Sequence, residues 1–177
     1  MAEDTGYIVV LTGNGKGKTT SALGMAMRAI GQGMKVVVLQ FLKGSCKYGE
    51  LNTAERLAPD LVIRPLGEGF VRVDPEHPDP KDVACAKRAW EICKEALLSG
   101  DYGMVILDEL NTAISYGLLP VDEVVATLQQ RPSRMHVVLT GRDAHPRIVE
   151  LADLVTEMVE VKHPFAGGRK ARRGIEY

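Results

Sequence analysis

The sequence predicts an α/β fold: a mostly parallel, doubly wound sheet of about six strands flanked by helices. Short apolar runs rich in Val, Ile and Leu recur along the 177 residues, nearly continuous in the manner of strands covered on both faces. Longer stretches with helical spacing separate most of them. A glycine and lysine knot, TGNGKGKTT at 12–20, joins the first run to the first helical stretch.

Taken in order, YIVVL (7–11) is the first strand and 18–31 the first helix. KVVVLQF (35–41) follows, then a helix over 49–57 and the run LVIRPL (61–66). The spacing predicts a long helix over 80–99, opened by Asp79-Pro80 and closed by Gly100, just as Gly31 closes the first. YGMVILDE (102–109), a helix over 121–130 opened by Pro120-Val121-Asp122, RMHVVLTG (134–141), a helix over 146–151 and DLVTEMVEV (153–161) complete the series. A chain of this length suits one domain over 1–177, with no internal repeat and no dividing linker. Two stretches depart from the pattern: GEGFVRVDPEHPDP (67–80), with three prolines and two glycines, and the glycine-containing basic tail 163–177. Loops at strand ends are where such folds keep their function.

Composition narrows the classes. A net charge of -1, 45% hydrophobic and 25% charged residues lack the basic excess of a nucleic-acid binder, so no nucleic-acid partner is expected. No run reaches the roughly 18 apolar residues needed to span a bilayer, and no signal peptide precedes the first strand. Cys46, Cys85 and Cys93 show no C-x-x-C spacing and cannot all pair, which fits a reducing cytoplasm. Cys85 and Cys93 fall on the 80–99 helix and read as packing residues.

The knot carries the chemistry. Gly17, Lys18 and Thr19 fit the end of the phosphate-loop pattern G-x-x-x-x-G-K-[ST], with Thr12 in place of its first glycine and Gly13 beside it. Gly13, Asn14, Gly15, Lys16 and Gly17 leave the backbone free to wrap a phosphate, with Thr20 continuing into a helix N-terminus that favours anions. This places the fold in the phosphate-loop NTPase-like type. The run MVILDE delivers Asp108 and Glu109 to a strand end, where such proteins hold Mg²⁺. LTGR delivers Arg142 to the same edge as an anion contact, with His145 three residues on. Glu109 polarising a water would instead make an ATPase, so the motifs alone leave the reaction open.

Together these pieces resemble the phosphate-loop ATP:corrinoid adenosyltransferases over nearly the whole chain. The likeness rests on TGNGKGKTT, MRAIG (27–31), VVVLQFLKG (36–44), GEGF (67–70), VILDEL (105–110), YGLLPVDEV (116–124), VVLTGR (137–142), LADLVTEM (151–158), VKHPF (161–165) and the terminal GIEY. It implies transfer of the 5′-deoxyadenosyl group of ATP to Co(I) of a corrinoid, cobalamin or a cobinamide or cobyrinic acid a,c-diamide precursor, with release of triphosphate. It implies ATP binding by residues 13–20, helped by Arg28 and Arg142, with Lys18 compensating charge and Thr19, Glu109 and Asp108 on Mg²⁺. Phe70 and Arg72 are implied to lie at the corrin; relatives often carry an aromatic where this chain has Arg72, and an N-terminal extension ahead of the first strand. A homodimer and a flavoprotein reductant are further implications of the resemblance.

The absence of a Ser-His-Asp or Cys-His constellation agrees with that chemistry, since Co(I) is a powerful nucleophile that needs no general base. A nucleotide or nucleoside kinase and an ATP-hydrolysing switch module remain the other readings. A kinase lid rich in Arg has one candidate, Arg169, Arg172 and Arg173 in the tail.

Overall fold

The computed structural model describes residues 5–44, 48–69, 77–164, 168 and 170–175. Among them, six parallel strands form one sheet: β1 (Ile8–Thr12), β2 (Val36–Gln40), β3 (Leu61–Pro65), β4 (Met104–Asp108), β5 (His136–Thr140) and β6 (Leu154–Glu157), in the order β3-β2-β4-β5-β1-β6. Helices α1 (Lys18–Gly31), α2 (Gly49–Leu57), α3 (Pro80–Ser99), α4 (Leu110–Ser115), α5 (Val121–Gln129) and α6 (Pro146–Leu151) connect or follow them.

Side-chain alternation along each strand builds two cores, one on each face of the sheet. Val9, Leu11, Val36, Val38, Ile106 and Val138 face α1 and α2, where Ala22, Ala26 and Ala29 give α1 a small-residue stripe that lets it lie close to the sheet. Ile8, Val10, Val37, Leu39, Val105, Leu107, Val137 and Leu139 face α3 to α6, packed by Trp90, Leu97, Leu110, Leu128 and Ile148. Strands covered on both sides must be apolar at every position, which is why their sequences run without polar interruption.

The helix ends follow local chemistry. Asp79 caps α3 by accepting from the Lys81 N–H at 2.8 Å, Pro80 occupies the first turn, and Gly100 closes the helix in the left-handed region. Such a cap contributes about 1 kcal/mol. In α1 the left-handed residue after the helix is Gly33, two positions beyond the expected Gly31. Cys93 is fully buried in α3 and burial pushes its thiol pKa up, while Cys85 is half-buried, consistent with packing roles for both.

Two elements differ from expectation. α4 follows β4 after one residue, and its six positions are too few to show a periodicity. β6 ends at Glu157 rather than at 161, and all four of its residues are exposed although Leu154 and Val155 are apolar. Among the described residues it is an edge strand, paired to β1 alone, so its apolar content is not matched by helices on both faces.

Candidate active site

The chain visits the sheet so that β1, β5, β4 and β2 end side by side, and each ends in a polar residue: Thr12, Thr140, Asp108 and Gln40. The carboxyl ends of strands around a change in strand order are where doubly wound folds bind ligands.

The loop from β1 to α1 is shaped by close contacts with the chain leaving β6. Gly15 N–H donates to the Met158 carbonyl at 2.7 Å, and a Cβ at Gly15 would meet the Val159 carbonyl at 2.7 Å. Gly13 has φ of +91° and approaches Met158 as closely, so neither position admits a side chain. Thr12 explains the departure from the usual first glycine. Its hydroxyl accepts from Ala144 N–H at 3.2 Å and its carbonyl from Met158 N–H at 2.8 Å, tying β1 to both neighbouring loops.

Lys18 opens α1 and is 8% exposed, its Nζ donating to the carbonyls of Gly13 at 2.7 Å and Gly15 at 2.9 Å. Burial lowers its pKa from the ordinary lysine value; Glu109 and Asp108 oppose that shift and Arg142 adds to it. The ammonium thus sits inside the loop, at the N-terminus of a 14-residue helix whose dipole adds positive potential.

Asp108 is fully buried and held by three donors. One oxygen accepts from Thr19 Oγ1 and Thr140 Oγ1, each at 2.8 Å, and the other from Gln40 Nε2 at 3.0 Å. Register places Gln40 directly across from Asp108, so these strand ends meet by pairing alone. Glu109 is different. Its φ of +64° is a left-handed conformation that is rare without glycine and occurs most at functional sites. Its N–H donates to Thr140 Oγ1 at 2.9 Å, and its carboxylate accepts from Thr112 Oγ1. Thr112 Oγ1 in turn accepts from Arg142 N–H at 3.0 Å, linking the ends of β4 and β5 through α4. Gly141 permits that approach: its φ is +129° and a Cβ there would meet Thr112 N at 2.6 Å.

Two concavities flank the loop. The larger, about 460 Å³, is lined by Lys16 to Thr20, Lys43, Glu50 and Glu109, with Gly174 and Ile175 of the tail closing one side. The other, about 360 Å³, is lined by Asn14, Gly15, Lys16, Lys18, Arg142, Glu160 and His163. Lys16 and Lys18 border both. The structure therefore brings together Gly13 to Thr20, Asp108, Glu109 and Arg142 as the sequence suggested. Arg28 is not among them: it lies exposed in the last turn of α1, about 15 Å along the helix from Lys18, beside Tyr7 and Met25. His145 caps α6, accepting from Arg147 N–H through Nδ1 at 3.2 Å. Phe70 and Arg72 lie outside the described residues.

Sequence reasoning missed Gln40, Thr112 and Thr140 as partners of the acids, and Lys43 and Glu50 as cavity walls. A signal existed for Gln40 and Thr140, since each is the polar last residue of an otherwise apolar strand. Thr112 carried none.

The donor set also bears on magnesium. Thr19 gives its proton to Asp108 and keeps its oxygen lone pairs, and Glu109 offers a carboxylate, so two hard oxygen donors border the same cavity. Mg²⁺ is held by one or two such side chains together with substrate phosphates, so the absence of a three-residue cluster of His, Cys, Asp or Glu among the described residues is compatible with it. The donor set fits. Asp108, buried and filled, suits a partner of Thr19 better than a direct ligand.

A parallel sheet of this order, a glycine-rich loop feeding a helix, and a buried strand-end acid holding the loop threonine define a phosphate-loop nucleotide-binding protein. The same architecture is found in the flagellar accessory protein FlaH from Methanocaldococcus jannaschii, with a TM-score of 0.59 over 86% of this chain and 71% of that one, at 12% identity. Within that class, residues 4–177 match the family model described as ATP:corrinoid adenosyltransferase BtuR/CobO/CobP, and the chain belongs to that family. It is 45% identical over 175 residues to a corrinoid adenosyltransferase of Pseudomonas aeruginosa, covering 99% of this chain and 85% of that one. Identity is 43% to the Escherichia coli K12 corrinoid adenosyltransferase and 41% to that of Salmonella typhimurium, each covering 99% of this chain and 87% of the relative.

Proposed function

We infer that the protein transfers the 5′-deoxyadenosyl group of ATP to Co(I) of a corrinoid. Membership of the family sets the reaction class. The observation that carries the reading at this site is the buried Lys18 ammonium inside a ring of loop backbone, facing a cavity whose lining acids, Glu109 and Glu50, are held by the Thr112 hydroxyl and the Lys43 ammonium rather than poised as bases.

In this reaction the cobalt electron pair forms the bond to C5′, the C5′–O bond breaks, and triphosphate leaves with that bonding pair. Cobalt is already the nucleophile, so the protein's part is to hold the reactants in line and to receive the leaving charge. Positioning of this kind can supply on the order of 7 to 11 kcal/mol of the barrier. Lys18 and the loop amides receive the departing charge in a preorganised site, the Gly15 N–H excepted because it already serves the Met158 carbonyl. Thr19 and Glu109 would hold Mg²⁺, which when bound adds positive charge beside the phosphates. Thr112 and Thr140 fix Glu109 so that its carboxylate keeps its place while the charge moves. Arg142 borders the second concavity and is assigned to the nucleotide.

The protein works as a cytoplasmic homodimer supplied with Co(I) by a flavoprotein. Supporting the dimer is the apolar concavity on the α1 face of the sheet edge, where Tyr7 and Leu154 are 56% and 42% exposed. Among the described residues no helix is long and apolar enough to cross a membrane. An anaerobic assay with ATP, Mg²⁺ and a Co(I) corrinoid tests the function. It should yield a light-sensitive carbon–cobalt product in wild type and little in Lys18→Ala; equal product in both contradicts the assigned role of the loop.

A further inference from the structure

The chemistry above uses the loop side of the larger cavity and gives no task to the wall that the β2–α2 connection supplies. That wall is Lys43, from the loop after β2, with Gly49 and Glu50 at the start of α2. Lys43 Nζ donates to Glu50 Oε1 at 2.7 Å, stands 3.8 Å from Asp108 Oδ2 and lies 4.8 Å from the Tyr48 ring centroid. The side chains of Lys43 and Glu50 are 23% and 18% exposed, so the pair is held in place yet reachable from the cavity.

We propose that Lys43 is a second phosphate-binding cation for ATP and for the departing triphosphate, with Glu50 as its positioning residue. The proposal rests on the reading of this cavity as the triphosphate site. Lys18 is locked among loop carbonyls, whereas Lys43 reaches the same cavity from a different element, so a polyanion bound there meets two ammonium groups from separate parts of the chain. The partners of Lys43 are suited to exchange. Among the described residues a single carboxylate holds its ammonium by one short bond, Asp108 already accepts from three other donors, and the Tyr48 ring face tolerates a change in donor direction. Several phosphate oxygens offer the flexible lysine stem more acceptors than Glu50 does. Glu50 therefore aims the ammonium at the cavity and gives it up as the polyanion arrives. Burial pushes the Glu50 carboxyl up, but the Lys43 hydrogen bond and charge, joined by hydrogen bonds from its own backbone N–H and from Gln40, keep it below the usual carboxylate value.

The test is calorimetric titration of the full chain with magnesium tripolyphosphate and, separately, with AMP. Lys43→Met should weaken tripolyphosphate binding about tenfold or more, the loss expected of one charge-assisted hydrogen bond. AMP should lose less, since it presents one phosphate, whereas a collapsed site would weaken both alike. Lys43→Arg should recover most of the tripolyphosphate affinity. Lys43→Met combined with Glu50→Gln leaves no unpaired carboxylate and serves as the folded control; it should bind more tightly than Lys43→Met alone and more weakly than wild type. Wild-type affinity in both Met variants, with binding lost in Lys18→Ala, overturns the role of Lys43. Unchanged binding in Lys18→Ala overturns instead the reading of the cavity, and the inference falls with it.

Discussion

β4 and β6 are both short parallel strands with apolar residues, yet they behave as opposites. β4 (Met104–Asp108) is buried at all five positions and delivers Asp108 and Glu109 to the site. β6 (Leu154–Glu157) is exposed at all four. The difference lies in their neighbours. β4 has a strand on each side and helices on both faces, whereas β6 pairs, among the described residues, with β1 alone. Burial is a property of position in the sheet, and only the central position can keep a carboxylate dry enough for hydroxyl and amide donors to fix it without competition from water.

Substitutions separate the two regions. The largest effect is expected at the cradle: Lys18→Ala should lower anaerobic adenosyl transfer by about 10²- to 10³-fold, the scale of removing one preorganised charge-stabilising donor. Next is Asp108→Ala, which strands the buried Thr140 hydroxyl and Gln40 amide beside Lys43 and releases the Thr19 hydroxyl. It should cost about 3 to 5 kcal/mol in urea unfolding. Gly141→Ala forces a side chain against Thr112 at a φ of +129° and should cost about 1 to 3 kcal/mol, with lowered activity as Glu109 loses its seat. At the other strand, Val155→Ser should change stability by about 0.5 kcal/mol or less. A loss there as large as that of Asp108→Ala would break the comparison, because β6 would then be buried in the folded unit. A change in sedimentation without a change in stability would sharpen it, by making the edge an assembly surface.

Much of this was legible in the sequence for a physical reason. Strands covered on both faces are apolar throughout, so β1, β2, β4 and β5 stand out from polar surroundings, and α3 and α5 carry their own start residues. The loop was legible because close backbone approach admits only glycine at Gly13 and Gly15. Exposure of β6 was not, because apolar content says nothing about whether a second strand lies beyond. Arg28 illustrates a related limit: a residue on a helix that begins at the site can still end three turns away. The Thr112 bridge joins residues from separate loops, and such contacts follow from tertiary placement rather than local pattern.

The most direct test of the account follows the phosphorus product by ³¹P NMR during anaerobic turnover with and without the Co(I) corrinoid. Intact tripolyphosphate should accumulate in step with the carbon–cobalt product and should be absent without the corrinoid. Orthophosphate or ADP forming at the same rate in both samples would show that the protein breaks a phosphoanhydride bond, and would contradict it.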